Sequence, residues 1–216
     1  MATLSVKGLR AGYGRAQVLF DVDLDAREGE VVALLGRNGA GKSTTLKAIM
    51  GLVPPLSGEV LFDGRNVKGL EPYEIARLGL GYVPEDRRIF TDLTVSENLE
   101  VGRKPARGAA PAWTEERLFA LFPALGALRA RRGARMSGGE QQMLCIARTL
   151  AGNPGAILLD EPSEGLAPVV VEQVAKAIME LKRSGLAVLL AEQSRHFAGR
   201  VADRTYVLEK GVIRKA

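Results

Sequence analysis

VVALLGRNGAGKS, Val31 to Ser43, is a run of five apolar residues, a glycine-bearing turn and a closing lysine-serine pair. A short continuous apolar run is the mark of a strand buried on both faces, which occurs where helices cover a mostly parallel sheet. Beyond the turn, Leu46, Ile49, Met50 and Val53 recur at i, i+3, i+4 and i+7, the spacing of one helix face. Strand, turn and helix thus follow one another directly. The pattern repeats downstream. AILLD (Ala156 to Asp160) and LAVLLA (Leu186 to Ala191) are further buried strands, and Val170, Val174, Ala177, Ile178 and Leu181 mark one face of a long helix between them. This alternation predicts an α/β fold with a mostly parallel sheet.

Two other regions differ. TLSVKGL, QVLFDVDLDA and GEVLFDG half-alternate, so a small antiparallel sheet is expected beside the parallel one. From about Asp86 to Gly152 the pattern is helical; TVSE (Thr94 to Glu97) is a capping box, and GRKPARGAAPAW (Gly102 to Trp113) reads as a surface connection. The expected layout is a single domain over 1–216. Residues 1–85 and 153–216 form the α/β core with its antiparallel β subdomain, and 86–152 an inserted helical subdomain.

The 216 residues, 46% of them hydrophobic, are enough to bury a real core. The longest apolar stretches fall well short of the roughly 18–20 residues of a membrane span, and MATLSVKGLR has no signal-peptide apolar region, so a cytoplasmic protein is expected. The single cysteine, Cys145, lies in the apolar run MLCIA and reads as a small buried hydrophobe. The net charge of +5 suits an anionic partner, but its densest basic run, RARRGAR (Arg129 to Arg135), lacks interleaved aromatics and reads as a solvated face.

The chemistry starts in GRNGAGKS (Gly36 to Ser43), which has the form of a phosphate-binding loop in the right context, between a buried strand and a helix start. Backbone N–H groups freed at Gly39 and Gly41 surround a polyphosphate, the helix dipole adds positive potential, Lys42 neutralises phosphate charge and Ser43 ligates Mg²⁺. In AILLDEPSEG, Asp160 ends a buried strand and is placed to hold Mg²⁺ through water. Glu161 beside it is placed to accept a proton from a water attacking the terminal phosphate.

MSGGEQQ (Met136 to Gln142) carries a third signal. Ser137 and Glu140 form a capping box, yet the positions between them are Gly138 and Gly139, each costing a helix about 0.8–1 kcal/mol relative to alanine. Something there needs bare backbone.

Taken in order, GRNGAGKS, MSGGE and ILLDEP make the whole chain resemble the nucleotide-binding subunit of an ATP-binding cassette (ABC) transporter. The resemblance implies that ATP lies on Gly36, Arg37, Asn38, Gly39, Ala40, Gly41, Lys42, Ser43 and Thr44. Ser137, Gly138, Gly139 and Glu140 then meet the γ phosphate of an ATP held by the opposite subunit, which would account for the bare backbone. Tyr13 matches the aromatic that stacks on adenine. Three positions depart from the usual pattern. Glu85 stands where a glutamine reaches Mg²⁺ and the membrane subunit, Gln193 where a switch histidine stands, and Ala167 where an aspartate stands. Glu161, Gln193 and Lys42 are the expected catalytic set, and Ser43, Glu85 and Asp160 the expected metal set. The only histidine, His196, is expected on an exposed helix face.

Within the family, GYVPEDRRIFTDLTVSENL, SGGEQQMLCIARTL and LDEPSEGLAPVVVE resemble ATPases that drive uptake of branched-chain amino acids. That implies pairing with a second ATPase subunit, the same or different, on two membrane permease subunits served by an extracytoplasmic solute-binding protein. The location implied is the inner face of the cell membrane, and no nucleic acid is expected as a partner. Two alternatives stay open: a soluble ABC ATPase acting on nucleic acid or the ribosome, and the ATPase of a lipid or lipoprotein exporter.

Overall fold

A computed structural model describes residues 2–107 and 111–214. Three residues of the expected Gly102–Trp113 connection, 108–110, lie outside the described residues. In chain order the elements are β1 (Ala2–Tyr13), β2 (Ala16–Arg27), β3 (Val31–Leu35), α1 (Lys42–Ile49), β4 (Pro55–Phe62), β5 (Arg65–Asn66), α2 (Pro72–Leu78) and β6 (Leu80–Val83). Helices α3 (Val95–Gly102), α4 (Glu115–Leu121), α5 (Pro123–Ala127) and α6 (Gly138–Ala151) follow, with a 3-10 turn at Gly133–Arg135. The chain then runs through β7 (Ala156–Asp160), α7 (Pro168–Arg183), β8 (Ala187–Glu192), α8 (Arg195–Val201), β9 (Arg204–Glu209) and β10 (Val212–Arg214).

The main sheet has the order β10-β9-β3-β8-β7-β6. All of its pairings are parallel except that of the edge strand β10. β7 and β8 are buried along their whole length, as their unbroken apolar sequences predict. Alternate residues feed two cores. Val31, Ile157, Leu159, Val188 and Leu190 pack toward α6, α7 and α8, while Val32, Leu34, Leu158 and Leu189 pack toward α1 and the antiparallel strands. The expected antiparallel sheet is present, with the order β2-β1-β4-β5.

One helix ends earlier than its apolar stripe. Leu46, Ile49, Met50 and Val53 are all buried, but α1 stops at Ile49. Met50 is its C-cap, and Gly51 turns left-handed with φ 71°, so Val53 reaches the core from outside the helix. The two capping boxes form as read: Thr94 with Glu97 starts α3 and Ser137 with Glu140 starts α6. Cys145 is buried in α6, and burial pushes its thiol up to about 11, which leaves it inert at neutral pH.

Candidate nucleotide site

β3 delivers the chain to Gly36 beneath β9, where a Cβ would stand 2.6 Å from the carbonyl oxygen of Leu208. Gly36 is therefore fixed by packing. Gly41, with φ 109°, is the N-cap of α1 and offers no side-chain acceptor, so the helix begins without a side-chain cap. Around Gly39 nothing lies within 4 Å of a Cβ position, and the loop is open on that side. Lys42 folds back under the loop. Its Nζ donates to the carbonyls of Gly36 (2.8 Å) and Arg37 (3.2 Å), and it pairs with Glu161 Oε1 at 2.8 Å. An open glycine, an uncapped helix start and a cation beneath the turn together fit a polyphosphate.

Asp160 and Glu161 part ways at the end of β7. Asp160 accepts from Ser43 Oγ (2.9 Å) and from the Tyr82 hydroxyl (3.1 Å). Burial pushes its carboxyl above the usual range; those two hydrogen bonds draw it back and Glu85 raises it further. Glu161 has a left-handed backbone, φ 48°, uncommon for a side chain of this shape, and the kink points its carboxylate at Lys42. Ser43 gives its only proton to Asp160, so its lone pairs remain for a cation. A hydroxyl and a carboxylate are the hard oxygen donors that suit Mg²⁺. Glu85 is exposed on the loop after β6 and shares a 220 Å³ cavity with Asp160, Tyr82 and Lys47.

On the other side of Glu161 is a 470 Å³ cleft lined also by Ser163, Glu164, Glu192, Gln193 and His196. Gln193 is exposed there, and His196 is exposed on α8, as expected of it. The structure brings both into one cleft. Ala167 is the N-cap of α7 and supplies no capping oxygen. Tyr13 ends β1, half exposed, on the hairpin whose second strand sets Leu19 against Gly41.

Ser137, Gly138, Gly139 and Glu140 stand apart. Among the described residues, their hydrogen bonds stay within the start of α6 and none reaches 36–44. The two glycines have close neighbours of their own. A Cβ on Gly138 would lie 2.6 Å from Arg87 Nη1, and one on Gly139 would lie 2.8 Å from Val170 Cγ2.

Three residues at the site escape a reading by motif. Tyr82 holds Asp160, Arg87 covers Gly138, and the buried carboxylate of Glu192 accepts from the backbone N–H groups of Ser163 and Ser194. Of these, Glu192 had a visible signal. It ends the apolar strand AVLLAE as Asp160 ends AILLD.

Residues 19–164 match the ABC transporter family. This chain belongs to that family. As an ABC ATPase it binds and hydrolyses ATP and powers a transporter. It is 42% identical over 210 residues to the high-affinity branched-chain amino acid transport ATP-binding protein BraG of Pseudomonas aeruginosa, covering 97% of this chain and 90% of that one. It is 37% identical over 213 residues to the lipopolysaccharide export system ATP-binding protein LptB of Escherichia coli, covering 98% and 88%. Among solved ABC cassettes, the dimeric post-hydrolysis structure of MJ0796 bound to ADP and Pi superposes with a TM-score of 0.83 at 26% identity, covering 98% of this chain and 97% of that one. Among the described residues no helix is long and apolar enough to cross a membrane.

Proposed function

We propose that this chain is the ATPase of an importer of branched-chain amino acids. The observation that carries the substrate class is its likeness to BraG along nearly the whole chain. The likeness to LptB favours a second reading, lipopolysaccharide export, that would use the same ATPase residues. The chain acts with a second ATPase subunit, identical or different, on two permease subunits and an extracytoplasmic binding protein, at the inner membrane face. Residues 86–152 form its helical subdomain and 1–85 with 153–216 its core.

In this reading the phosphates of ATP rest on Gly36 to Thr44 and the adenine on Tyr13. Ser43 and Asp160, with Glu85 nearby, would hold Mg²⁺, which when bound would offset the charge on the phosphates. Lys42 neutralises charge on the phosphates from beneath the loop. The Glu161 carboxylate takes the proton of the attacking water as the new oxygen–phosphorus bond forms and the bond to ADP breaks. Gln193 holds that water with its amide. Ser137 to Glu140 act on the ATP of the opposite subunit, with free N–H groups at the helix start.

Proteoliposomes containing the chain with its candidate permease subunits test the substrate class. ATP-dependent uptake of labelled leucine with the matching binding protein is the expected result. ATP-dependent extraction of lipopolysaccharide without leucine uptake would overturn it in favour of export.

A further inference from the structure

We propose that Glu192 is a positioning residue for hydrolysis, tying the turn that carries Glu161 to the turn that carries Gln193. Glu192 closes β8 and is 1% exposed. Its Oε1 accepts from the Ser163 N–H at 3.2 Å, two residues beyond Glu161, and its Oε2 from the Ser194 N–H at 3.3 Å, one residue beyond Gln193. Its main-chain carbonyl accepts from Gly36 N at 3.2 Å, the first residue of the glycine-rich loop. One residue therefore meets three turns of the site.

The choice of a carboxylate is costly for the fold. Burying a charge is unfavourable unless it is well compensated, and among the described residues no cation pairs with Glu192. Both serine N–H groups border an open cleft where water could serve them. Stability alone thus gains little from an acid here. A two-oxygen acceptor does what neither water nor an apolar side chain can: it fixes the spacing of two turns that must face each other across one cleft. A glutamine could retain only one of the two bonds, because its Nε2 donates and does not accept.

This inference rests on the proposed roles of Glu161 and Gln193, so Glu161→Gln is measured alongside. Steady-state ATP hydrolysis and binding of a fluorescent ATP analogue are recorded for Glu192→Ala, Glu192→Gln and the wild type. The expected result is a kcat loss of about 10- to 100-fold for Glu192→Ala, the scale of a catalytic group displaced by an ångström, with analogue affinity and KM within twofold of wild type. Glu192→Gln should fall between, and it decides the matter alone should the alanine variant not fold. Full turnover in both variants, or a loss of analogue affinity matching the loss of kcat, would overturn the inference. If Glu161→Gln itself hydrolyses ATP normally, the general-base reading fails instead.

Discussion

Lys42 Nζ lies 2.8 Å from Glu161 Oε1, and both side chains are more than nine-tenths buried. The two residues proposed to hold the phosphates and to take the proton of water are thus each other's partner in this structure. Removing one member of a buried pair costs about 3–5 kcal/mol when the other is left uncompensated. Here Lys42 also has two carbonyl partners, whereas Glu161 makes no second ion pair among the described residues. Lys42→Ala is therefore expected to lower the nucleotide-free Tm more than Glu161→Gln, whose amide oxygen still accepts from the lysine. Glu161→Gln should bind ATP and lose turnover by about 10²- to 10⁴-fold, and Lys42→Ala should lose binding. Calorimetry and nucleotide titration of the two variants check both halves.

The two glycines at the start of α6 have different neighbours and should answer differently to alanine. At Gly138 the obstructing atom is Nη1 of Arg87, the far end of a flexible side chain, while at Gly139 it is the branched Val170. Gly138→Ala is expected to leave Tm unchanged or raise it, since the helix gains propensity. Gly139→Ala should cost about 1–3 kcal/mol by overpacking, or roughly 2–4 °C for each kcal/mol in a chain of this size. Adding Val170→Ala should recover most of that. Equal losses at the two positions would count against the steric account.

How much of this was legible in sequence depended on whether a feature is local. β3, β7 and β8 show as unbroken apolar runs, and the loop between β3 and α1 shows because its glycines occupy backbone positions that other residues resist. Gly138 is the contrary case. Its bare backbone was readable, but its neighbour Arg87 comes from a loop 51 positions away, and no spacing rule connects them. Glu192 fell between: its place at a strand end was visible, its two serine partners were not. The early end of α1 was also hidden, because Val53 keeps the helical stripe although Gly51 has already turned the chain.

Arg204 joins the start of β9 to Asp25 on β2 and to Glu30 before β3. The Arg204 guanidinium holds both carboxyls below their usual range. A depressed carboxyl contributes stability that is present above its unfolded value, about 3.9 for Asp and 4.3 for Glu, and lost as pH falls through the lower folded value. The Tm difference between wild type and Arg204→Gln should accordingly be widest near neutral pH and close on acidification below about pH 4. A gap that persists unchanged into that range would mean that Arg204 contributes packing and not charge.

Gln193 and His196 line the same cleft as Glu161, one on the turn after β8 and the other on the first turn of α8. Only one of them is expected to serve the reaction. Gln193 follows Glu192 directly and precedes Ser194, whose N–H is held by that carboxylate, so its backbone is fixed on both sides. His196 is exposed, and among the described residues its side chain makes no hydrogen bond. Gln193→Ala should therefore lower kcat substantially while leaving ATP affinity in place, and His196→Ala should be nearly silent. Gln193→His should retain much of the activity but acquire a pH dependence, since an imidazole titrates near ~6.5 and an amide does not. Rate–pH profiles of the three variants separate the cases. A silent Gln193→Ala beside an inactive His196→Ala would move the water-holding role one turn along, to the histidine, and would leave Glu161 facing a different partner across the cleft.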